Sequence, residues 1–257
     1  MDKLDIGSRM KMYEEKSRVY LKRKTPVIIR LDGCHFHTFT KGFDKPFDKI
    51  IESCMTNTML YLCKNIQGCV LGYTQSDEIT LVLCDYQKPD TDAWFKNNTQ
   101  KMTSVSASMA TYAFMKYLEN EYYSFLSTDH TEATTERRAL LLKKMDQGAF
   151  FDSRAFSIPV EEVENCLIWR QLDAIRNSVQ GLAQHVLGHK QCQNLSCTKL
   201  KEKMFTEWDI DWGSYLSTYQ KSGSCAIKNE EGTWFIDTET PDFITNRDYI
   251  RSRIVFE

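Results

Sequence analysis

The sequence predicts an α+β fold: a ferredoxin-type βαββαβ sheet with helices on one face, followed by additional C-terminal helical and β elements. Three observations carry it. Val27-Ile28-Ile29-Arg30-Leu31 is a short, apolar, β-prone run that stops at Asp32-Gly33. Val70-Leu71-Gly72-Tyr73 and Ile79-Thr80-Leu81-Val82-Leu83 are two more such runs, joined by the polar Thr74-Gln75-Ser76-Asp77-Glu78, which reads as a hairpin tip. Helix-period segments follow the first run and the hairpin, and a fourth strand follows the second helix.

Bulk properties set the frame. The chain has 257 residues, 42% hydrophobic, 26% charged and 12% aromatic, which is enough for a sizeable core. Net charge is −2, so any nucleic-acid contact must come from a local patch. No apolar run approaches a membrane span, and residues 1–11 are polar, without a secretory h-region. The nine cysteines are odd in number and lack a CxxC pair. They read as buried thiols of a reducing, cytoplasmic compartment.

The elements follow in order. Residues 3–20 suit a helix capped at Ser8, with Met10, Met12, Tyr13 and Tyr20 available for packing. Pro26 starts the first strand. The loop 32–48 interleaves Phe36, Phe39, Phe43 and Phe47 with His35, His37, Thr38, Lys41 and Lys45. Its aromatics suit a plug at the sheet edge. Backbone N–H groups after a glycine, with His and Lys donors, equally suit a triphosphate cradle. A helix over 48–65 takes Asp48 as its N-cap and carries an apolar stripe from Ile50 to Leu62. After the hairpin, 89–98 is an irregular link. A long helix over 98–126 follows, with Lys101 in its first turn and small residues at 104–110 for close packing. Residues 129–147 form an exposed helical excursion, and 155–158 the fourth strand. Pro159 opens the clearest helix, to His185, its stripe running from Val160 to Val186 with Gly188 beyond it. Its other face carries Arg170, Asp173, Asn177, Gln180 and Gln184. A solvated face fits, and so does a bound polar partner. Residues 188–203 hold a basic patch with Lys190, on a surface loop or against phosphates. Residues 224–228 and 233–237 form a hairpin, and Ile254-Val255-Phe256 is strand-like.

In a βαββαβ sheet the end of strand one lies beside the β2–β3 hairpin, which brings Asp32 and Asp77 together. Two close carboxylates repel unless a cation lies between them. A hard divalent ion shared with substrate phosphates suits that pair. Nucleotidyl-transferring palm domains use this arrangement, so the sheet is polymerase-palm-like and the candidate chemistry is Mg²⁺-dependent phosphoryl or nucleotidyl transfer. A turn-forming Asp-Gly and a solvated hairpin tip are the plain alternative.

A set of short motifs then runs in family order over roughly residues 8–228. They are Arg9-Met10-Lys11-x-Tyr13-Glu14, Arg30-Leu31-Asp32-Gly33-x-x-Phe36-His37-x-Phe39, Lys45-Pro46, Tyr73-x-Gln75-Ser76-Asp77-Glu78, Ser104-x-Ser106-Ala107-Ser108, Phe151-Asp152-Ser153-Arg154 and Trp169-Arg170-Gln171-x-Asp173. The chain thereby resembles the tRNA-His guanylyltransferase-like proteins, the family of 3′-to-5′ polymerases. The resemblance implies a palm-like catalytic region over 1–158. It implies an RNA-contacting helical and hairpin extension over 159–257, in one compact unit with the palm. It implies two Mg²⁺ ions on Asp32, Asp77 and the Gly33 carbonyl, with Glu78 as a further catalytic acid. ATP and GTP are the implied substrates, held by Gly33, Cys34, His35, Phe36, His37, Lys45, Ser76 and Lys101. tRNA is the implied partner, on Arg170, Asn177, Gln184 and Lys190, and a homotetramer the implied assembly.

One segment departs from the dedicated enzymes. Where these carry His-x-Asn-Asn-Leu-Tyr-Asn, this chain reads Ile175-Arg176-Asn177-Ser178-Val179-Gln180-Gly181. That resembles the bacterial-type and archaeal-type branch, which repairs 5′-truncated tRNA against a complementary template. A dedicated tRNA-His guanylyltransferase, a palm-fold nucleotide cyclase and a non-catalytic RNA-binding protein are the competing readings. Intact Asp32, Asp77 and Glu78 speak against the last.

Overall fold

The protein is described here from a computed structural model, which covers residues 5–126 and 131–256, without the side chains of residues 132 and 133. In chain order the elements are α1 (Ile6–Lys16), β1 (Val27–Gly33), α2 (Phe36–Phe39), α3 (Lys49–Asn65), β2 (Cys69–Gln75), β3 (Glu78–Leu83), α4 (Thr99–Leu126) and α5 (Glu132–Gln147). There follow β4 (Phe151–Ser157), α6 (Val160–Leu187), α7 (His189–Cys192), α8 (Cys197–Trp208), α9 (Trp212–Tyr215), α10 (Thr218–Ser222), β5 (Ser224–Lys228), β6 (Trp234–Asp237) and α11 (Asp248–Ile254). The strands form one antiparallel sheet in the order β4-β1-β3-β2-β5-β6. The first four strands are the ferredoxin-type βαββαβ unit, and the C-terminal hairpin extends the same sheet beside β2.

Alternation along the strands decides which helix covers which face. Val27, Ile29 and Leu31 of β1 and Ile79, Leu81 and Leu83 of β3 pack with Met55, Met59 and Leu62 of α3 and Phe114 and Leu118 of α4. The palm's own two helices thus share one face, as expected. Ile28, Leu71, Tyr73 and Val82 point the other way, onto Val163 and Leu167 of α6 and Ile250 and Ile254 of α11. Each such buried side chain contributes about 1.5–3 kcal/mol relative to exposure. The second half of α6 passes the sheet and buries Val179, Leu182 and Leu187 against Leu200 and Met204 of α8.

Local signals placed most ends correctly. Asp48 caps α3, its Oδ1 accepting from Ile50 N at 2.9 Å. Gly188, at φ 82°, ends α6. Four expectations need correction. Asp5, not Ser8, caps α1: Ser8 N donates to its Oδ1 at 3.0 Å. The fourth strand begins at Phe151, because pairing to β1 extends it over the polar Asp152-Ser153-Arg154. Residues 197–208 are a helix capped by Ser196, because Leu200 and Met204 find an apolar partner in α6. Ile254 closes a helix, not a strand, since 250 and 254 lie one turn apart facing the sheet. Residues 129 and 130 of the expected excursion lie outside the described residues. Among the described residues, no helix is long and apolar enough to cross a membrane.

Candidate active site

The site forms where β1 ends and the β2–β3 hairpin turns. Asp32 lies in register with Glu78 of β3. Gly33 N donates to the Asp77 backbone oxygen at 3.0 Å, tying the two acidic motifs together. The turn has two residues, with Ser76 in the left-handed region at φ 50°. Ser76 Oγ donates to Asp77 Oδ1 at 3.0 Å and fixes the carboxylate.

Gly33 is required by packing. A Cβ there would lie 2.2 Å from the Phe36 ring. That ring is buried against Phe39, Phe114 and Phe151, with centroids 5.1–5.4 Å away. The aromatic plug and the proposed cradle are therefore the same loop: its phenylalanines anchor it while His35 and His37 stay exposed. His35, at φ 54°, starts α2, and Cys34 N donates to Phe150 O at 2.8 Å.

A cavity of about 360 Å³ opens from the hairpin tip. His37, Lys45, Ser76, Asp77 and Asn177, all singled out from the sequence, line it. Gln75, Glu52, Ser178, Tyr219, Gln220 and Gly223 also line it. The sequence reading gave none of these a site role; Tyr219, Gln220 and Gly223 were out of its reach because the α10–β5 connection joins the site only when β5 pairs with β2, Ser224 opposite Thr74. Gly223 makes that approach possible. A Cβ there would lie 2.5 Å from the Thr74 carbonyl oxygen, and its φ is 79°.

The acids differ in their surroundings. Burial pushes the Asp77 carboxyl above the usual range, the Ser76 hydroxyl opposes this, and the charge of Asp32 adds to the rise. Burial also raises Glu78, with Arg170 and then Arg30 pulling it back. Among the described residues, neither Asp32 nor Asp77 is in an ion pair, whereas Arg170 Nε meets Glu78 Oε1 at 2.6 Å. No group of three His, Cys, Asp or Glu converges among the described residues, so the protein alone does not cage a metal. Two unpaired carboxylates that repel each other do fit a divalent ion completed by substrate oxygens.

Cys34 and His35, expected on the nucleotide, do not line this cavity, Glu78 is paired with Arg170 rather than open to it, and two further expected site residues are elsewhere. Arg170 is not on the exposed face with Asn177 and Gln184: its guanidinium is buried between Glu78 and Asp173, whose Oδ2 accepts from Nη2 at 2.8 Å. Spacing put it on the polar face of α6, but that stretch packs on the sheet, where buried Glu78 requires a cation. Lys101 lies over the Phe95 ring in the first turn of α4. That end of α4 bridges to Tyr20 and lies by the start of β1 and the end of β3, away from Asp77, because α4 begins only after β3 has run away from the hairpin tip. Asn177, Gln184 and Lys190 are exposed as expected.

A sheet of this order with acids at the hairpin tip is the palm frame of nucleotidyl-transfer enzymes. Residues 7–159 match the family model described as tRNAHis guanylyltransferase. The chain belongs to that family of nucleotidyltransferases. A bacterial tRNA(His) guanylyltransferase-like protein in complex with ATP superposes with a TM-score of 0.85 at 40% identity, over 98% of this chain and 100% of that one. A bacterial tRNA(His) guanylyltransferase-like protein in complex with GTP gives a TM-score of 0.77 at 38% identity, over 96% of this chain and 97% of the other. The tRNA(His) guanylyltransferase of Candida glabrata is 27% identical over 79% of this chain and 83% of its own.

Proposed function

We propose that this protein is a template-dependent 3′–5′ nucleotidyltransferase. It activates a tRNA 5′-monophosphate with ATP or GTP and adds nucleotides that restore a truncated 5′ end. The cavity beside Asp77 takes the nucleoside triphosphate, with Lys45 and His37 as cationic or neutral donors and Ser76 as a hydroxyl donor to the phosphates. Asp32, Asp77 and the Gly33 carbonyl would hold Mg²⁺, which supplies charge stabilisation to the reacting phosphoryl oxygens. Glu78, pinned by Arg170, fixes the hairpin that carries Asp77. Asn177, Gln184 and Lys190 face the RNA. The bacterial relatives in complex with ATP and with GTP support the nucleotide assignment.

The choice of repair over dedicated tRNA-His addition rests on α6. Val179 is buried and Ile175 half-buried, so neither presents a polar group to a tRNA. A site that reads one substrate strongly needs donors and acceptors placed for it. The added base then follows its complement on the template strand. The experiment is a rate comparison with Mg²⁺ and labelled nucleotides. One arm uses several 5′-truncated, 5′-monophosphorylated tRNAs, the other full-length tRNA-His with a non-pairing base. Faster templated addition on the truncated set supports repair. Strong preference for tRNA-His with untemplated G addition overturns it.

A further inference from the structure

Lys45 reaches the cavity from residues 40–48, a stretch between α2 and α3 with no helix or strand of its own. A donor on an unrestrained loop binds weakly, because ordering the loop costs free energy at the moment of binding. What holds this loop beforehand is α5, which lies along it.

Three residues of one α5 face, at spacings of three and four, meet the loop in order. Lys144 Nζ donates to Thr38 O at 3.4 Å and lies over the Phe39 ring. Leu140 fills the space beside Gly42, where a Cβ would lie 2.9 Å from its Cδ1. Arg137 takes the end nearest Lys45. Its Cζ lies 5.0 Å from the Phe43 ring centroid, and its Nη2 donates to Asp48 Oδ2.

Asp48 is the joint between helix and loop. Its carboxylate is buried, and Oδ1 is used on the α3 cap. Oδ2 accepts from Arg137 and also from Asp44 N, the latter at 2.9 Å. Asp44 immediately precedes Lys45, so the carboxylate that starts α3 also closes the turn carrying the lysine. A buried carboxylate needs a cation, and among the described residues Arg137 is the ion-pair partner of Asp48. None of the residues lining the cavity belongs to α5, so Arg137 acts on the cavity from outside.

We propose that Arg137 is a positioning residue for nucleotide binding: acting through Asp48, it holds the 43–48 turn so that Lys45 is presented to the triphosphate. This rests on the reading that the cavity takes a nucleoside triphosphate with Lys45 on its phosphates. It adds that a helix outside the cavity sets the affinity.

The test is a double-mutant cycle read by calorimetric titration of ATP with Mg²⁺. Lys45→Ala should weaken ATP about tenfold, as loss of a charge-assisted phosphate contact does. Arg137→Met, which keeps an apolar stem over Phe43, should weaken it about threefold to tenfold. With Lys45→Ala already present, Arg137→Met should change binding by less than about twofold, because it acts through the lysine. In nucleotide addition, Arg137→Met should raise KM for the nucleotide and leave kcat at saturation within about twofold, whereas a loss of folded protein lowers kcat. Arg137→Lys restores the charge without the planar fork and should fall between wild type and Arg137→Met. It replaces Arg137→Met in the cycle if that variant does not fold. Wild-type affinity in the Arg137 variants, or equal losses with and without Lys45, overturns the positioning role and leaves the cavity reading intact. Unchanged ATP binding by Lys45→Ala overturns the placement of Lys45 on the phosphates and this proposal with it.

Discussion

The two faces of the sheet end differently at the hairpin tip, and consecutive residues show it. Glu78 points to the α6 face, where Arg170 meets it at 2.6 Å and Arg170 in turn meets Asp173 at 2.8 Å. Asp77 opens on the cavity with a hydroxyl and no ion-pair partner among the described residues. One acid is spent on holding the tip; the other is left short of positive charge. The difference teaches where function sits. A buried acid met by a guanidinium is structure, and a carboxylate crowded by another carboxylate with no cationic partner suits a divalent ion.

The sharpest way to break this comparison is to remove the crowded acids. Asp32→Ala or Asp77→Ala should cut nucleotide addition on the order of 1,000-fold or more, since a bound metal supplies several kcal/mol of charge stabilisation. The fold should survive, because one member of a repelling pair is gone. Near-wild-type turnover in Mg²⁺ would sink the metal assignment.

Removing the paired partner should do the reverse. Arg170→Met leaves Glu78 buried without its cation and should cost about 3–5 kcal/mol in urea unfolding. Adding Glu78→Gln should recover much of that loss. A single variant as stable as wild type would mean that the pair is not a structural anchor.

Gly223→Ala forces a left-handed alanine against the Thr74 carbonyl and should cost about 1–3 kcal/mol. It should also weaken nucleotide binding, because the α10–β5 connection walls the cavity. An unshifted melting temperature would show that β5 approaches β2 less closely than described.

The pH dependence of stability sharpens the contrast at Asp77. Its folded pKa lies above the unfolded value, so the folded state holds the proton more tightly. That stability is present below the unfolded pKa and is lost as pH rises through the folded pKa. Asp77→Asn should flatten the decline, measured by urea unfolding of metal-free protein from about pH 4 upward. Mg²⁺ should offset the decline in wild type and do little for the variant. Identical pH profiles for the two proteins would remove Asp77 as the source.

The smallest effect belongs to the outer face of α6. Gln184→Ala should weaken tRNA binding several-fold, as a lost hydrogen bond of about 0.5–1.5 kcal/mol does. Activation of an RNA end already bound at saturation should not change. Equal tRNA affinity would return that face to plain solvation.

Much of this was legible from residue order because it is local. Period-two apolar runs, the polar link at 74–78 and the Asp48 cap need only neighbours within a few positions. Asp32 and Asp77 were legible one level up, since a βαββαβ chain has few ways to close and most place strand one beside the hairpin. The Gly33-to-Phe36 loop was half legible. Its aromatics and donors were visible, but the fact that the same loop anchors and exposes them was not.

The rest depended on pairings between distant segments. Arg170 and Gln184 share a helix face by spacing, yet one lies against the sheet and the other beyond its edge. Only the length of α6 relative to the sheet separates them. Glu52 and Gln220 are 168 positions apart and meet because the C-terminal hairpin adds to β2 rather than standing alone. The sequence by itself determined the first three strands, the Asp48 cap and the pair of acids, because short-range sterics and burial patterns decide those. Which acid received a cation, and which side chains walled the cavity, was decided by the tertiary structure alone, because charge compensation and cavity shape are properties of neighbours in space.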